Sequence, residues 1–577
     1  MRARYLAAIF AGGAAQAERE QPRIAARLPD AFAPVLGRDG VLVFSEEKTR
    51  CLIQPSGVMI GELFERGRTY PVEMLGAGEW AAIDRSGGGV LIEAYWGAYV
   101  AMLTDGDGVC VVRAPFGDLG CYYVRTRDAL LVASDLALLR PWVERRIDAA
   151  MLARHLAYPE WRSSQTCLEG VHELRGGDRL RTDAGAFSVE TLWSPWRFAS
   201  DAVQIADAED AARRVADAVR LAVTARVRNS DRSLLLLSGG LDSAVIAAVL
   251  AKAGIGFSCL NLVANDAASD ERGYAQQVSH TLGVDLEIRP FELGAVNIDQ
   301  SHAAHLPYPV HRCFLQAVDP VASAVAAERG AGLVVDGGGG DNVFFASRSV
   351  TALADCLLTN GFDARFWAAA RTLTDLAQVG TARLAWKAMS RAWLRPRPPR
   401  LAPCTAFLSR AAKAEVAAGW RHPWFNPPAD ILPGRASHVA LLAPAQNLVE
   451  AINAQALFPS ISPLASQPVV EACLRVPSWL WIAPGRNRAV VRHAFAAHLP
   501  QSIIERRSKG SPASFVATIF ERNRTQIRAM LLDGVLAQLG IIDKDAVARA
   551  FGDAGPPRDF RFALLMGLVD AEAWARS

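Results

Sequence analysis

The pattern of apolar and polar positions divides the chain into two parts. Up to about residue 195, short apolar or alternating runs are broken by Gly and Asp, which is typical of β-strands; they lie at 41–44, 89–95, 99–103, 109–113 and 130–133. From about residue 203, apolar positions recur with helical spacing, as at Ala211, Val215 and Val219. We predict a β-rich domain over residues 1–195 and a second domain over residues 203–577.

The second part opens with alternating strands and helices. The apolar run 234–237 predicts a buried strand, which a Gly-rich turn and an apolar helix over 243–253 follow, and 258–263 predicts the next strand. This alternation predicts an α/β domain with a parallel, helix-covered sheet. The Pro- and Arg-rich stretch 394–403 cannot continue a helix, so we expect an exposed connection there.

Composition narrows the classes of function. The 577 residues include 62 Lys+Arg and 59 Asp+Glu, and the net charge of +3 is too small to favour nucleic acid as a partner. Nine cysteines without a CxxC pair argue against a disulfide framework or a zinc cluster and favour the reducing cytoplasm. No window approaches the ~20 apolar residues of a membrane span. The first residues have the composition of a short secretory signal, but their apolar run is short, which favours a first buried strand.

The sharpest chemical signal is Ser238-Gly239-Gly240-Leu241-Asp242-Ser243, which follows the first strand of the second part and begins a helix. Adjacent glycines let backbone amides close around an anion at a helix N-terminus, and the two serine hydroxyls add donors. The segment lacks the lysine of GxxxxGK[ST] and does not match GxGxxG. The alternative is an ordinary corner capped by Asp242. The complete hexapeptide in this setting favours a phosphate-binding loop.

This hexapeptide resembles the pyrophosphate-binding loop of the asparagine synthetase superfamily, which cleaves ATP between its α and β phosphates. The resemblance implies a PP-loop, HUP-like ATP-pyrophosphatase domain with extra helices that adenylates a carboxylate. A second segment, 334–345, follows another strand and resembles the family's second Gly-rich acidic motif. The implied ATP- and pyrophosphate-binding residues are Ser238, Gly239, Gly240, Leu241, Asp242, Ser243, Leu262, Val263, Gly337 and Gly338.

Two acidic residues of these motifs are candidate metal ligands. Asp242 and Asp341 would both lie at carboxyl ends of neighbouring strands, where ligands of open α/β sheets bind. Two carboxylates and pyrophosphate oxygens form a typical Mg²⁺ site, so ATP and Mg²⁺ are the expected cofactors. For Asp341 a turn-forming role is the alternative. Asp270 and Glu271 match the acidic helix start that follows the second strand in the family, although helix capping explains them almost as well.

A basic segment near the end of the chain supplies the candidate catalytic residue. The order of 462–471, 485–488 with Arg492, and 506–510 resembles the C-terminal half of the family's synthetase domain and places Lys509 on the catalytic lysine. A lysine beside glycine can deliver a compact positive charge to an acyl-adenylate or to the oxyanion formed when an amine attacks it. A solvated basic run is the alternative.

The N-terminal part resembles the glutamine amidotransferase domain through segments 95–102, 113–123 and 133–138. The resemblance implies an αββα sandwich of the N-terminal-nucleophile type. That chemistry needs a thiol on the first residue of the mature chain, whereas Met1 is followed here by Arg2 and the nearest cysteine is Cys51. We therefore predict a degenerate domain that does not hydrolyse glutamine, and we interpret Cys121 as a buried packing residue.

Within the superfamily, the segments 336–344, 463–468, 485–488 and 507–510 are most similar to lasso-peptide cyclases. The implied reaction is adenylation of an Asp or Glu side chain in a ribosomal precursor peptide, followed by attack of the peptide's N-terminal amine to form a macrolactam, with AMP and pyrophosphate as products. A leader peptidase and a leader-recognition protein are the implied partners.

Several alternatives stay open. At Gly338 asparagine synthetases carry a glutamate and β-lactam synthetases a tyrosine, so the general base is unassigned; Asp355, His302, His305 and His438 are candidates. An asparagine synthetase-like or β-lactam synthetase-like amide ligase acting on a small molecule is one competing function. A noncatalytic binding subunit is another, against which Asp242, Asp341 and Lys509 argue.

Overall fold

The architecture described below comes from a computed structural model of the chain. It describes residues 3–104, 108–159, 161–183, 186–205, 207–263, 270–377, 379–394, 402–419, 422–450, 457–483, 486–507, 513–552 and 561–577. Among these residues, none of the helices combines the length and apolar character needed to traverse a lipid bilayer.

The first part of the chain forms two antiparallel sheets of six strands each. Its strands are β1 (Tyr5–Phe10), β2 (Phe32–Arg38), β3 (Val41–Glu46), β4 (Cys51–Gln54), β5 (Gly57–Glu65), β6 (Tyr95–Thr104), β7 (Gly108–Arg113), β8 (Tyr122–Arg125), β9 (Ala129–Ala133), β10 (Val171–Glu173), β11 (Asp178–Asp183) and β12 (Ala186–Thr191). One sheet has the order β10-β8-β9-β1-β3-β2, and the other β12-β11-β7-β6-β5-β4. The predicted first buried strand is β1, at the centre of its sheet.

Alternation along the strands produces the layers of this sandwich. Tyr5, Ala7 and Ile9 of β1 belong to the apolar core between the two sheets, whereas Leu6 and Ala8 belong to a core on the outer face. The helices of this part are α1 (Gly13–Ala25), α2 (Ala77–Arg85), α3 (Gly89–Ala94), α4 (Leu136–Leu139) and α5 (Ala149–Ala157). Helix α1 covers one sheet, and α2 and α3 share a core with the other. The predicted αββα sandwich is therefore present.

One strand of the prediction was wrong. The run 89–95 forms helix α3 up to Ala94, and β6 begins only at Tyr95. Gly88 precedes the helix in the left-handed conformation, with φ 85°. The adjacent residues Leu91 and Ile92 are both buried, whereas neighbouring residues of a strand point to opposite faces. A short apolar run does not by itself distinguish a buried helical turn from a strand.

The second part contains the predicted parallel sheet. Its strands are β13 (Ser233–Leu236), β14 (Phe257–Val263), β15 (Leu286–Pro290), β16 (Leu333–Val335) and β17 (Ser460–Ile461), in the order β15-β14-β13-β16-β17 and all parallel. A separate hairpin joins β18 (Ile482–Ala483) and β19 (Arg486–Asn487). Strands β13 and β16 are direct neighbours, so their carboxyl ends lie side by side.

Helices surround this sheet and extend beyond it. They are α6 (Ala208–Val227), α7 (Leu241–Lys252), α8 (Arg272–Leu282), α9 (Asp319–Glu328), α10 (Gly340–Val343), α11 (Thr351–Asn360), α12 (Ala364–Ala377), α13 (Thr381–Met389), α14 (Arg410–Ala417), α15 (Pro433–Glu450), α16 (Gln467–Leu474), α17 (Ala489–Ala494), α18 (Gln501–Ile504), α19 (Ala513–Arg522), α20 (Arg524–Asp533), α21 (Val535–Gln538), α22 (Lys544–Ala550) and α23 (Arg561–Arg576). Helix α6 starts at Ala208 rather than near 203, because the Asp207 side chain caps it by accepting a hydrogen bond from the Asp210 amide at 2.7 Å.

Buried charges connect the two parts of the chain. Arg113 at the end of β7, Arg162, Glu173 on β10 and Glu450 at the end of α15 form what we call the four-charge cluster. Arg113 Nη1 lies 2.9 Å from Glu173 Oε1, and Arg162 Nη1 lies 2.6 Å from Glu450 Oε2. Apolar residues of β6 and of α6 also share one core. The limits 1–195 and 203–577 stay a prediction.

Candidate functional site

The first glycine corner lies between β13 and α7. Gly239 has φ 75°, and a Cβ there would lie 2.9 Å from the Glu271 carbonyl oxygen, so both the backbone conformation and the space require glycine. The Ser238 and Ser243 hydroxyl oxygens are 3.3 Å apart. The corner therefore places two hydroxyls beside the N-terminus of a 12-residue helix, where the helix dipole and free amides favour an anion.

The second glycine corner, between β16 and α10, touches the first. A Cβ on Gly340 would lie 2.6 Å from Asp242 Cγ, and one on Gly337 would lie 3.1 Å from the Ser243 amide nitrogen. Close approach of the two corners thus depends on these glycines. Asp336 stabilises the corner: it is half-buried and accepts hydrogen bonds from the Gly338 amide, at 2.7 Å, and from the Ser462 hydroxyl.

The two candidate metal ligands meet at one guanidinium nitrogen. Nη1 of Arg488 lies 3.0 and 3.1 Å from the two carboxylate oxygens of Asp242 and 2.6 Å from Oδ1 of Asp341. The Asp242 side chain is 10% exposed and that of Asp341 is 40% exposed, so the pair opens to solvent on the Asp341 side. The expected convergence of Asp242 and Asp341 is present, while their role as metal ligands stays a prediction.

The donor set fits a magnesium ion bound together with a nucleotide. Carboxylate oxygens are the ligands that Mg²⁺ prefers, and the two aspartates direct oxygens to one point. Within the described part of the chain, no group of three or more His, Cys, Asp or Glu residues could hold a metal ion. Two carboxylates leave most of the octahedral positions of Mg²⁺ to other oxygens, which phosphate groups and water supply in such sites.

Two further arginines hold the basic C-terminal segment against the first corner. Arg506 Nη1 donates to the Gly239 carbonyl oxygen at 2.8 Å, its guanidinium pairs with Glu271, and its Cζ lies 3.9 Å from the Tyr274 ring centroid. Arg492 Nη1 donates to the carbonyl oxygens of Ile503 and Ile504, at 2.9 and 2.8 Å, at the end of α18. These contacts fix the course of the chain up to residue 507.

The sequence patterns did not reveal these arginine contacts. Arg488 lies 246 residues from Asp242, and Arg506 lies 267 residues from Gly239, so no local spacing connects them. The clustering of arginines over 486–507 was the available signal, and a solvated basic run explains such clustering equally well. Instead, the side chains of Arg488 and Arg506 are each only 8% exposed.

The remaining predicted ligands of the nucleotide lie at the edge of the described region. Leu262 and Val263 are half-buried at the carboxyl end of β14. The preceding residue, Asn261, donates from Nδ2 to the Leu237 carbonyl oxygen at 2.7 Å and so connects this strand end to the first corner. Lys509 lies outside the described residues, and its catalytic role stays a prediction.

Two candidate general bases have structural contacts instead. The Asp355 carboxylate is fully buried and accepts hydrogen bonds from the Gly434 and Arg435 amides, at 2.6 and 3.1 Å, at the start of α15. Burial raises the pKa of Asp355 to about 7 against these hydrogen bonds. His438 Nε2 lies 2.8 Å from the Val343 carbonyl oxygen, and burial lowers the pKa of His438 to about 4. Both residues therefore support the second corner and α15.

The other two histidines lie in the segment before α9. His302 Nε2 is 3.4 Å from a carboxylate oxygen of Asp319, the first residue of α9, and burial lowers the pKa of His302 to about 4. The backbone of His305 accepts a hydrogen bond from the Leu136 amide at 3.0 Å, which places it against α4 of the sandwich. These contacts place the two histidines against α9 and α4.

The thiols of the sandwich do not have the environment of a nucleophile. Cys121 is fully buried, as predicted, and burial raises its pKa to about 11. Burial also raises the pKa of Cys51, a half-buried residue whose sulfur is 3.5 Å from the Ser45 hydroxyl. Reactive cysteines have lowered pKa values. Arg4, directly before β1, pairs with Asp135 and Glu46 at 3.0 and 3.1 Å.

Comparison with known proteins identifies a family. A family model described as asparagine synthase matches residues 214–576. No curated protein matches the chain.

Solved structures give weak likenesses. A structure described as the allosteric regulatory enzyme of purine biosynthesis has 9% sequence identity and a TM-score of 0.20, and the match covers 50% of this chain and 80% of that one. The glutamine phosphoribosylpyrophosphate amidotransferase from B. subtilis, complexed with ADP and GMP, has 8% identity and a TM-score of 0.20, with 50% and 81% covered. At these values neither likeness bears on fold or function.

Proposed function

The chain belongs to the asparagine synthase family of ATP-dependent, amide-forming ligases, and from this premise we propose that it is a lasso-peptide cyclase. Its substrate is the core peptide of a ribosomal precursor. An oxygen of an Asp or Glu side-chain carboxylate attacks the α-phosphorus of ATP and pyrophosphate leaves. The N-terminal amine of the peptide then attacks the acyl carbon, AMP leaves and the amine loses a proton, which closes the macrolactam.

One observation carries the adenylation step: two glycine corners at adjacent strand ends bring Asp242 and Asp341 to the same point. The helix N-terminus and the Ser238 and Ser243 hydroxyls supply donors for the pyrophosphate end of ATP. In this proposal the two aspartates bind Mg²⁺, which neutralises phosphate charge.

The other proposed contacts follow from the course of the chain around the corner. Leu262 and Val263 line the adenine, because they end the strand next to β13. Lys509 stabilises the charge that develops when the amine attacks, and Arg506, three residues earlier in the chain, contacts the first corner through the Gly239 carbonyl oxygen.

The amine comes from the substrate in this proposal. The pKa values of Cys51 and Cys121 are raised by burial. A thiol that hydrolyses glutamine needs a lowered pKa, so the sandwich offers no source of ammonia among these groups. A leader peptidase must therefore free the amine of the core peptide, and a leader-recognition protein delivers the precursor.

The proposed function is tested with the purified full chain, a candidate precursor, its leader peptidase, ATP and Mg²⁺. We expect AMP and pyrophosphate to form in equal amounts and the trimmed core peptide to lose the mass of one water. Omission of the peptidase is the control, because the amine then stays blocked. Pyrophosphate release without a cyclised peptide contradicts the cyclase assignment.

A small-molecule amide ligase is the competing function, and the description of the matching family model favours it. Aspartate, ATP and ammonia replace the peptide in the same assay. Asparagine formation dependent on the chain would support this alternative over macrolactam formation.

A further inference from the structure

We infer that Arg488 and the divalent cation are alternative partners of the same carboxylate pair, so that the cation binds together with the nucleotide and not before it. This inference rests on the proposed function, because ATP with Mg²⁺ is the ligand that it concerns. It makes Arg488 a positioning residue that couples the two binding events.

The geometry places the guanidinium where a shared cation would have to bind. Nη1 of Arg488 contacts both oxygens of Asp242, at 3.0 and 3.1 Å, and one oxygen of Asp341, at 2.6 Å. A metal ion bound by both carboxylates must lie between them, and Mg²⁺ binds its oxygen ligands at about 2.0–2.1 Å. Arg488 and the ion cannot both occupy this position, so the ion displaces Nη1 from at least one carboxylate.

The backbone of Arg488 is constrained, whereas its side chain can gain a hydrogen bond by moving. The residue has φ 55°, in the left-handed region, between β19 and the first turn of α17. Such a conformation is uncommon for a residue other than glycine and persists only where the surroundings impose it. Nε of Arg488 is buried and makes no hydrogen bond with the described residues. Phosphate oxygens near the corner would satisfy this donor, so the nucleotide favours rotation of the side chain away from the aspartates.

The charges of the site explain why we expect the cation to bind only together with the nucleotide. Among the described contacts, Asp242 and Asp341 contribute two negative charges and Arg488 one positive charge, so a divalent ion alone leaves these three side chains net positive in a mostly buried position. Positive charge is also concentrated at Arg492, where burial together with the charges of Arg488 and Arg486 lowers the pKa of Arg492 to about 10. The negative charge of a triphosphate compensates for both the ion and the released guanidinium.

The first test measures binding of Mn²⁺, a hard cation that suits carboxylate ligands as Mg²⁺ does, by electron paramagnetic resonance in the absence of nucleotide. We expect Arg488→Gln to bind Mn²⁺ about tenfold more tightly than the unaltered chain, because the competing charge is gone. Arg486→Gln is the matched control: Arg486 is 34% exposed, contacts Glu505 at 3.5 Å and has no contact with Asp242 or Asp341 among its described contacts. Equal Mn²⁺ affinity of Arg488→Gln and Arg486→Gln would overturn the inference.

The second test needs no variant, so it holds even if Arg488→Gln fails to fold. A crystal structure of the unaltered chain with Mg²⁺ and a nonhydrolysable ATP analogue should show Nη1 of Arg488 withdrawn from at least one of the two aspartates. Nucleotide and cation bound at the corner with Arg488 still on both carboxylates would overturn this inference alone. Nucleotide bound elsewhere, or not at all, would overturn the proposed function as well.

Discussion

Two buried groups of charged side chains differ in balance and in access to solvent. The four-charge cluster pairs two arginines with two glutamates, and the side chains of Arg113 and Glu450 are at most 2% exposed. Among the contacts described at the glycine corners, one arginine meets two aspartates, and the Asp341 side chain is 40% exposed. A balanced, closed group has no need of another ion, whereas an unbalanced group open on one side can exchange its cation. We expect this difference in composition and solvent access to distinguish a structural network from a binding site.

The largest effect is expected for Asp242→Asn. We expect it to lower ATP-dependent pyrophosphate release about a thousandfold, because the site loses one of the two carboxylates proposed to bind Mg²⁺ and, through it, the phosphates. Stability should change little, since the substitution leaves Arg488 balanced against Asp341. Pyrophosphate release and thermal unfolding are measured together. Asp217→Asn, on the exposed side of α6, is the control, because Asp217 is 63% exposed and pairs only with Arg220 among its described contacts. Unchanged release by Asp242→Asn would contradict the metal assignment.

Glu450→Gln should have the opposite profile. It leaves Arg113 and Arg162 with Glu173 alone, and an uncompensated buried charge lowers the free energy of unfolding by about 3 kcal/mol. Chemical denaturation measures this loss, and pyrophosphate release per folded molecule should stay within about threefold of the unaltered chain. Glu415→Gln, which removes the partially exposed Arg154–Glu415 pair, should change stability by less than about 1 kcal/mol. Similar losses of stability in Glu450→Gln and Glu415→Gln would contradict the structural role of the four-charge cluster.

A buried carboxylate without a full countercharge predicts a pH dependence. Burial raises the pKa of Asp355 from 3.8 to about 7, so between these pH values the folded state retains a proton that the unfolded state releases. The free energy of unfolding therefore falls as pH rises, by up to about 1.4 kcal/mol per pH unit for this group. Asp355→Asn should reduce that slope in urea unfolding measured between about pH 5 and pH 7. Burial also raises the pKa of Asp570 to about 7, so Asp570 still contributes to the pH dependence in this variant. An unchanged slope would contradict the assignment.

The smallest effect is expected for Cys51→Ser in the sandwich. Cys51 is half-buried, and its raised pKa makes it a poor nucleophile. We therefore expect pyrophosphate release to stay nearly unchanged and the free energy of unfolding to change by no more than about 0.5 kcal/mol. The assay of the proposed function measures the first and denaturation the second. A large loss of activity would mean that the N-terminal half takes part in the reaction, and it would contradict the assignment of the chemistry to the glycine corners.

The fold and the corner were predictable because local patterns carry them. The apolar run before Ser238 and the glycines after it specify a strand, a tight turn and a helix, and the repeat of this pattern before Asp341 predicts adjacent strand ends. The run 89–95 was misassigned because Gly88 turns the chain into a helix, which apolar periodicity over so few residues cannot reveal.

The contacts of Arg488, Asp355 and His438 were not predictable for a different reason. Each depends on which distant backbone or carboxylate group the tertiary fold brings near, and a buried polar side chain takes whatever partner satisfies it there. Asp355, a candidate base, instead accepts hydrogen bonds from amides 79 and 80 residues away, at the start of α15. The sequence named the right residue types but could not assign their partners.

The four-charge cluster also sets an order for events during translation. Arg113 and Arg162 leave the ribosome long before Glu450, which lies 337 residues after Arg113 in the chain. Until Glu450 is synthesised, Glu173 is the only glutamate of the four-charge cluster that can pair with the two arginines. The nascent sandwich therefore carries an excess positive charge at a position that is buried in the complete protein. We expect this edge of the sandwich to stay incompletely packed until α15 is synthesised. A chaperone that shields the edge therefore has hundreds of residues of elongation in which to act.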